Sequence, residues 1–187
     1  MTNIRTFEEM TPVIAEDVWV DDSAMVIGDV EIGSGSSIWP SVTVRGDIHR
    51  IRIGERTSIQ DGSVVHVTHD SEFVPGGHAT IIGSDITVGH NVILHGCEIQ
   101  DKCLIGMGSI VLDGAVVQSQ IIIGAGSLVP GGKVLESGYL YVGSPVKQIR
   151  QLTEKELAFF EYSAQSYQRL GQRHRQEAHC SGLEVGG

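Results

Sequence analysis

Several features that define common protein classes are scarce in this sequence. Its 187 residues carry 13 Lys and Arg against 23 Asp and Glu, a formal net charge of −10, which excludes the basic surface of a general nucleic-acid binder. No apolar run approaches the ~18 residues needed to cross a bilayer, and the N-terminal segment lacks the basic and apolar regions of a signal peptide. We therefore expect a cytoplasmic protein that contacts neither nucleic acid nor membrane.

Cysteine and aromatic residues are also scarce. The chain has three cysteines, Cys97, Cys103 and Cys180, without a CxxC pair, so that neither a disulfide framework nor a zinc-finger spacing is present. We expect them to act as small buried apolar residues. Aromatic residues make up 5% of the chain, whereas glycine is abundant at 24 residues. This composition predicts a β protein rich in turns.

An aliphatic residue recurs at every sixth position along most of the chain. This spacing differs from the three-and-four spacing of a helical face and suits a short strand followed by a corner. Three such units closed into a triangle make a coil of about 18 residues, so the units predict about six stacked coils of a parallel β-helix. The inward positions are Ile14, Val20, Val26, Ile32, Ile38, Val44, Ile53, Ile59, Val65, Ile82, Val88, Leu94, Ile99, Ile105, Val111, Val117, Ile123 and Val129.

The six-residue period breaks at three places, where a solenoid expels extra residues as surface loops. The first break predicts a small loop around residues 47–50, and the second predicts a longer loop around residues 69–78. The third is a one-residue deletion at residues 95–98. We expect functional residues to gather near these breaks.

A helix signal follows the repeats. Thr153 and Glu156 form a capping-box pattern, and the apolar residues that follow recur at helical spacing, so one helix face should pack on the coils. It would cover the last coil or lie along one face of the solenoid. We predict three parts, namely a β-helix over residues 1–150, a C-terminal helix over residues 151–178 and a frayed tail over residues 179–187.

The coil arithmetic places two histidines together. The first, second and third faces of one coil are marked by the inward residues Ile53, Ile59 and Val65, and those of the next coil by Ile82, Val88 and Leu94. His66 and His95 each follow the inward residue of the third face by one position, so they should project outward about one strand spacing apart, ~4.8 Å. Arg45 falls in the same column, one coil below. Two imidazoles at this separation suit one tetrahedral metal ion such as Zn²⁺.

A third histidine falls on another face. His90 lies on the second face, stacked above Asp61, and in a single chain it points away from His66 and His95. If three copies pack around a threefold axis, the second face of one chain meets the third face of its neighbour. His90 can then complete the site across the interface, which predicts a homotrimer with a metal ion at each interface.

Several short segments of the sequence resemble the gamma-class carbonic anhydrase family of hexapeptide-repeat proteins, in particular its short bacterial members. The resemblance covers roughly residues 10–170 and is carried by VRGD at 44–47, IQDG at 59–62, VH at 65–66, VGH at 88–90, LHGC at 94–97 and LIGMGS at 104–109. It implies a left-handed parallel β-helix with a C-terminal helix, assembled as a homotrimer with zinc or iron at the interfaces. His66 and His95 would come from one chain and His90 from the next.

The resemblance also implies roles for other residues. Arg45 and Asp47 would form an intersubunit ion pair, Gln60 would orient the metal-bound water, and Asp61 would lie behind the site. Zn²⁺, with Fe²⁺ or Co²⁺ as alternatives, would generate a metal hydroxide that attacks CO2 to give bicarbonate.

The sequence departs from the well-established catalysts of that family at the positions that move protons. Ile48 stands where an acidic residue is expected, and the acidic loop falls near His69. His69 is either a solvated loop residue or a proton shuttle. Tyr162 and Tyr167 are loose counterparts of helix residues that line the family's site.

Three functions remain open at this point. The first is a metal-dependent carbonic anhydrase, which could be slow. The second is a metal-binding homotrimer of the same fold without appreciable CO2 hydration, which binds another small anion or serves in an assembly. The third is a hexapeptide acyltransferase that uses a CoA thioester, but this function leaves the geometry of three histidines unexplained.

Overall fold

The computed structural model describes the backbone of residues 3–181 and the side chains of residues 3–177. Twenty short strands precede a single helix. The strands are β1 (Ile4–Arg5), β2 (Val13–Ile14), β3 (Trp19–Val20), β4 (Met25–Ile32), β5 (Ser37–Ile38), β6 (Thr43–Ile53), β7 (Ser58–Ile59), β8 (Val64–His66), β9 (Thr80–Ile82), β10 (Thr87–Val88), β11 (Ile93–His95), β12 (Glu98–Ile99), β13 (Leu104–Ile105), β14 (Ile110–Val111), β15 (Val116–Val117), β16 (Ile122–Ile123), β17 (Leu128–Val129), β18 (Val134–Leu135), β19 (Tyr139–Gly143) and β20 (Val146–Gln151). The helix is α1 (Glu154–Ser181).

The strands stack into a parallel β-solenoid, as the six-residue period predicts. One sheet has twelve strands and includes the first and third faces, which β4 and β6 join by running around the corner between them. The other sheet has eight strands and forms the second face. Every described pairing between strands is parallel except that of β19 with β20.

The recurrent aliphatic residues fill the interior of the solenoid. On the third face, residues from five successive coils form one stacked column, and each is 0% exposed. Burying one such side chain fully contributes roughly 1.5–3 kcal/mol, so the repeated column is a main source of stability. Its members are Val44, Val65, Leu94, Val111 and Val129.

The solenoid has about eight turns, more than the six that the hexads predict. The additional turns lie at the two ends, where the sequence departs from the template. At the N-terminal end β1 pairs with β4, and at the C-terminal end β18 and β19 extend the stacks beyond Val129. The hairpin formed by β19 and β20 contains no six-residue repeat, so the period does not predict it.

The three period breaks take three different forms. The first gives no separate loop, because residues 47–50 stay within the eleven-residue strand β6 and are absorbed by a register shift opposite β4. The second gives the predicted loop between β8 and β9, closed by a pair of backbone hydrogen bonds between Thr68 and His78. The third gives a tight corner, in which Gly96 adopts a φ of +57° between β11 and β12.

The C-terminal helix lies along the second face, where α1 contacts β3, β5, β7 and β10. The predicted capping box is present, since the Glu156 backbone N–H donates to Thr153 Oγ1 and the Thr153 N–H donates to Glu156 Oε2. Phe160, 2% exposed, and Ala164 lie on the buried face of α1. Tyr167 of the same helix packs edge-on against Trp39 with ring centroids 5.9 Å apart.

The ends of the predicted segments need small adjustments. The helix begins at Glu154 and extends to Ser181, three residues into the segment predicted as a tail, and residues 182–187 lie outside the described part of the chain. Cys97 and Cys103 are buried and free, as expected, whereas the side chain of Cys180 is outside the described residues. Over residues 3–181, the single helix is not apolar enough to cross a membrane.

Candidate functional site

His66 and His95 face each other on the third face of the solenoid. They are the last residues of the parallel strands β8 and β11, and the strand register pairs them directly. Nδ1 of His66 lies 3.1 Å from Nε2 of His95, and the ring centroids are 5.1 Å apart. The stacking that the coil arithmetic predicts is therefore confirmed.

A carboxylate lies behind each ring. Asp47 Oδ1 is 3.3 Å from Nε2 of His66, and Asp113 Oδ1 is 2.5 Å from Nδ1 of His95. An ionised carboxylate only accepts hydrogen bonds, so the ring nitrogen that faces it carries the proton. The two nitrogens that face one another are then left with their lone pairs.

Two lone pairs directed at each other across 3.1 Å repel unless a cation lies between them. Zinc bonds to imidazole nitrogen at about 2.0–2.1 Å, and a tetrahedral angle then separates two ligand nitrogens by about 3.3 Å. The donor pair formed by His66 and His95 therefore fits a divalent metal ion. Their carboxylate partners match the usual arrangement around metal-binding histidines.

The surroundings of this pair favour a neutral His66 and ionised carboxylates at Asp47 and Asp113. Burial lowers the pKa of His66, and the nearby charge of Arg45 acts in the same direction. Burial by itself raises the pKa of Asp47, but hydrogen bonds from Arg45 and His66 outweigh it and the net shift is downward. For Asp113 the same balance holds between burial and hydrogen bonds from His95 and Thr68, so its pKa is also lowered.

Arg45 and Asp47 lie beside the pair, with Arg45 Nη1 2.7 Å from Asp47 Oδ2. This ion pair forms within one chain and links Arg45 through Asp47 to His66. The intersubunit pair that the resemblance implies stays a prediction.

His90 is not brought together with the other two histidines. It follows β10 on the second face, and its Nδ1 lies 2.9 Å from Asp61 Oδ2, as the register predicts. Asp61 thus leaves Nε2 of His90 free, on a side chain that is 48% exposed. Within the described residues of one chain, no three His, Cys, Asp or Glu side chains converge on a metal position.

Gln60 and Tyr167 share a cavity beside His90. Gln60, 4% exposed, Gly89 and Met107 of the second face meet Phe159 and Tyr167 of α1 around a volume of about 200 Å³. Gly89 directly precedes His90, so the cavity borders the histidine of the second face and not the pair on the third face.

The other two candidates, Tyr162 and His69, do not line this cavity. Tyr162 is 62% exposed on α1 and packs on Phe159. His69 is exposed in the loop after β8. Its role as a proton shuttle stays a prediction.

Two residues of the site are missed by the sequence reasoning, namely Asp113 and Thr68. Thr68 Oγ1 donates to Asp113 Oδ2 at 2.6 Å, and Asp113 accepts from His95 with its other oxygen. A signal was available, because the register that stacks Leu94 on Val65 also stacks Val111 on Leu94. Asp113, two positions after Val111, is thus the polar residue of the next coil on the same face.

Comparisons with known proteins agree with this architecture. The family model for bacterial transferase hexapeptide repeats matches residues 11–46. The chain is 56% identical to protein YrdA of Escherichia coli over 88% of this chain and 89% of that protein. It is 43% identical to gamma carbonic anhydrase 1, mitochondrial, of Arabidopsis thaliana over 94% of this chain and 63% of that protein.

A solved structure is also similar. The crystal structure of a hexapeptide transferase family protein from Anaplasma phagocytophilum superposes with a TM-score of 0.83 at 37% sequence identity, over 90% of this chain and 96% of that one.

Proposed function

Because the chain belongs to the hexapeptide-repeat family that includes YrdA and the gamma carbonic anhydrases, we propose that it is a metal-dependent carbonic anhydrase that interconverts CO2 and bicarbonate. The observation that carries the proposal is the convergence of His66 Nδ1 and His95 Nε2 at 3.1 Å, each ring backed by a carboxylate. We propose a cytoplasmic location for the protein, as expected from the sequence.

The third ligand in this proposal is His90 Nε2 of a neighbouring copy in a homotrimer. An apolar surface supports such an assembly, since Val64 and Ile93 are stacked on the third face and exposed by 37% and 39%. They lie two residues before His66 and His95 respectively. A second copy that covers them would bring its own second face, and with it His90, to the histidine pair.

Zn²⁺, or Fe²⁺ or Co²⁺ in its place, would supply a Lewis acid that lowers the pKa of a coordinated water to about 7 when held by three neutral imidazoles. Asp47, Asp113 and Asp61 would each hold one imidazole in the orientation that leaves a lone pair for the metal.

In the proposed site Gln60 would come from the same chain as His90, because both residues lie on the second face. Its amide can both donate and accept a hydrogen bond, so it can orient the attacking water relative to CO2. The apolar cavity beside Gln60 suits a small uncharged substrate, and Arg45 on the opposing chain supplies positive charge for bicarbonate.

The proposal is tested by metal content, subunit number and CO2 hydration on the same samples. Protein loaded with Zn²⁺, and anaerobically with Fe²⁺, is assayed by stopped flow, and light scattering after gel filtration gives the mass. We expect a trimer with one metal per chain and hydration well above that of His90→Ala. A fully metallated trimer with no rate above this control would contradict the anhydrase and leave a metal-binding homotrimer.

A further inference from the structure

Asp113 is joined to His95 and to the loop after β8 by hydrogen bonds at both of its oxygens. His95 Nδ1 lies 2.5 Å from Oδ1, and Thr68 Oγ1 donates to Oδ2 at 2.6 Å. Thr68 is itself fixed, because its backbone N–H and C=O pair with His78 across the base of the loop. The carboxylate thus has one fixed donor on one side and one imidazole on the other.

The space around Asp113 also restricts the carboxylate. Gly96 lies beneath it, and a Cβ on Gly96 would come within 2.6 Å of Asp113 Oδ1 and 2.8 Å of His78 Cβ. The missing side chain at Gly96 is what allows Oδ1 to approach His95. Position and hydrogen bonding therefore both direct the carboxylate to one nitrogen of the ring.

His66 and His95 offer different nitrogens to the space between them, Nδ1 and Nε2 respectively. Their carboxylates must therefore act on opposite nitrogens, as Asp47 does on Nε2 of His66 and Asp113 on Nδ1 of His95. Without Asp113 the neutral ring of His95 could place its proton on Nε2, which would direct an N–H at the metal position.

We propose that Asp113, held by Thr68, is the positioning residue of His95, which keeps the ring proton on Nδ1 and the lone pair of Nε2 toward His66. As far as it concerns metal binding, the inference rests on the proposed function. The placement of the proton on His95 does not depend on a metal.

The test uses the full-length protein with Asp113→Asn and Thr68→Val. Long-range ¹H–¹⁵N spectra of the metal-free protein report which nitrogen of His95 is protonated. We expect Nδ1–H in the wild type and a shift toward Nε2–H in Asp113→Asn. Zinc affinity, measured by competition with a chromophoric chelator, should fall about 10- to 100-fold in Asp113→Asn, and less in Thr68→Val.

Asp101→Asn is the matched control. Asp101 also lies two residues after an inward aliphatic residue of the same coil, but on the first face, where its Oδ1 accepts from the Ser84 backbone N–H at 2.7 Å. It should change neither the His95 proton nor the zinc affinity. Far-UV circular dichroism and gel filtration verify that each variant is folded and assembled as the wild type is.

The outcomes separate the two proposals. A folded Asp113→Asn protein that keeps Nδ1–H on His95 overturns the role of Asp113, and so does wild-type zinc affinity in that variant. If the wild type binds no zinc while Asp113→Asn still moves the proton of His95, the metal-dependent function fails and the positioning role stands.

Discussion

His66 Nδ1 and His95 Nε2 lie 3.1 Å apart although 29 residues separate them in the chain. One ordinary coil would use about 18 residues, and the surplus is the loop after β8, which leaves the stack and returns to it. The inward residues Val65 and Leu94 keep their register across this insertion. One chain therefore presents two imidazole nitrogens to each other on its third face, and in the proposed metal site the third ligand comes from another chain.

The first prediction concerns the origin of that third ligand. If His90 comes from a neighbouring copy, neither His90→Ala nor His95→Ala should bind metal tightly alone. In a trimer assembled at random from equal amounts of both variants, about one quarter of the interfaces combine an intact third face with an intact second face. Metal content and CO2 hydration should recover to about this fraction of the wild type.

A mixture of His66→Ala with His95→Ala is the control for this experiment. Both substitutions damage the same face, so no arrangement of chains rebuilds a complete site, and no recovery is expected. Equal recovery in the two mixtures, or none in either although mass spectrometry shows mixed trimers, would refute a site shared between chains.

The second prediction concerns the corner after His95. Gly96 has a φ of +57°, and a Cβ there would press on Asp113 and His78. Gly126 has a similar φ of +66° but open space around it. Gly126→Ala should lower the free energy of unfolding by about 1–2 kcal/mol because of the backbone conformation alone. Gly96→Ala should lower it by a further ~1–3 kcal/mol because of crowding.

Thermal unfolding measures the two costs, and zinc affinity distinguishes their consequences. Asp113 is the movable neighbour, so relief of the clash in Gly96→Ala should break its contact with His95 and weaken zinc binding. Gly126→Ala should leave zinc affinity unchanged. Equal effects of both variants would show that crowding at Gly96 is unimportant.

The third prediction concerns the docking of α1. Phe160, on the buried face of α1, is 2% exposed, whereas its neighbour Phe159 is 41% exposed. Phe160→Ala should lower the free energy of unfolding by about 3–5 kcal/mol, and Phe159→Ala by less than ~1 kcal/mol. Urea unfolding followed by circular dichroism measures both, and a similar loss in the two variants would contradict the packing of the helix.

Much of this architecture follows from the period of the sequence. Once Val65 and Leu94 are assigned to one face, the positions of His66, His95, His90 and Asp61 follow from counting residues. Carried one coil further, the register reaches Val111, and Asp113 lies two positions after it, one residue beyond the position that corresponds to His66 and His95. Such counting predicts faces and columns because a solenoid repeats one local geometry along a single axis.

Other features depend on interactions that the period does not contain. Residues 47–50 stay in β6 because the residues that flank them, Gly46 and Ile51, both pair with the long strand β4, and the register shift between these pairs takes up the extra residues. The turns at the two ends lack the hexad pattern, and the hydrogen bond from Thr68 to Asp113 depends on how the loop folds back over the third face. The proposed third ligand, His90 of a neighbouring copy, would depend on assembly, which the local geometry of one chain does not determine.

The last prediction concerns pH and the start of α1. Hydrogen bonds from the Arg150 side chain and from Thr153 lower the pKa of Glu156 to about 2. Because the folded pKa lies below the ordinary value of 4.5, the ionised form stabilises the folded state above pH 4.5, and this stabilisation is lost as the pH falls toward 2. The melting temperature of Glu156→Gln should therefore lie below that of the wild type at pH 7 and approach it between pH 4.5 and 2. As a control, Glu154→Gln, in the same helical turn, should have the melting temperature of the wild type at every pH. If the melting temperature of Glu156→Gln lies below that of the wild type by the same amount at every pH, the charge of Glu156 is not what stabilises the helix start.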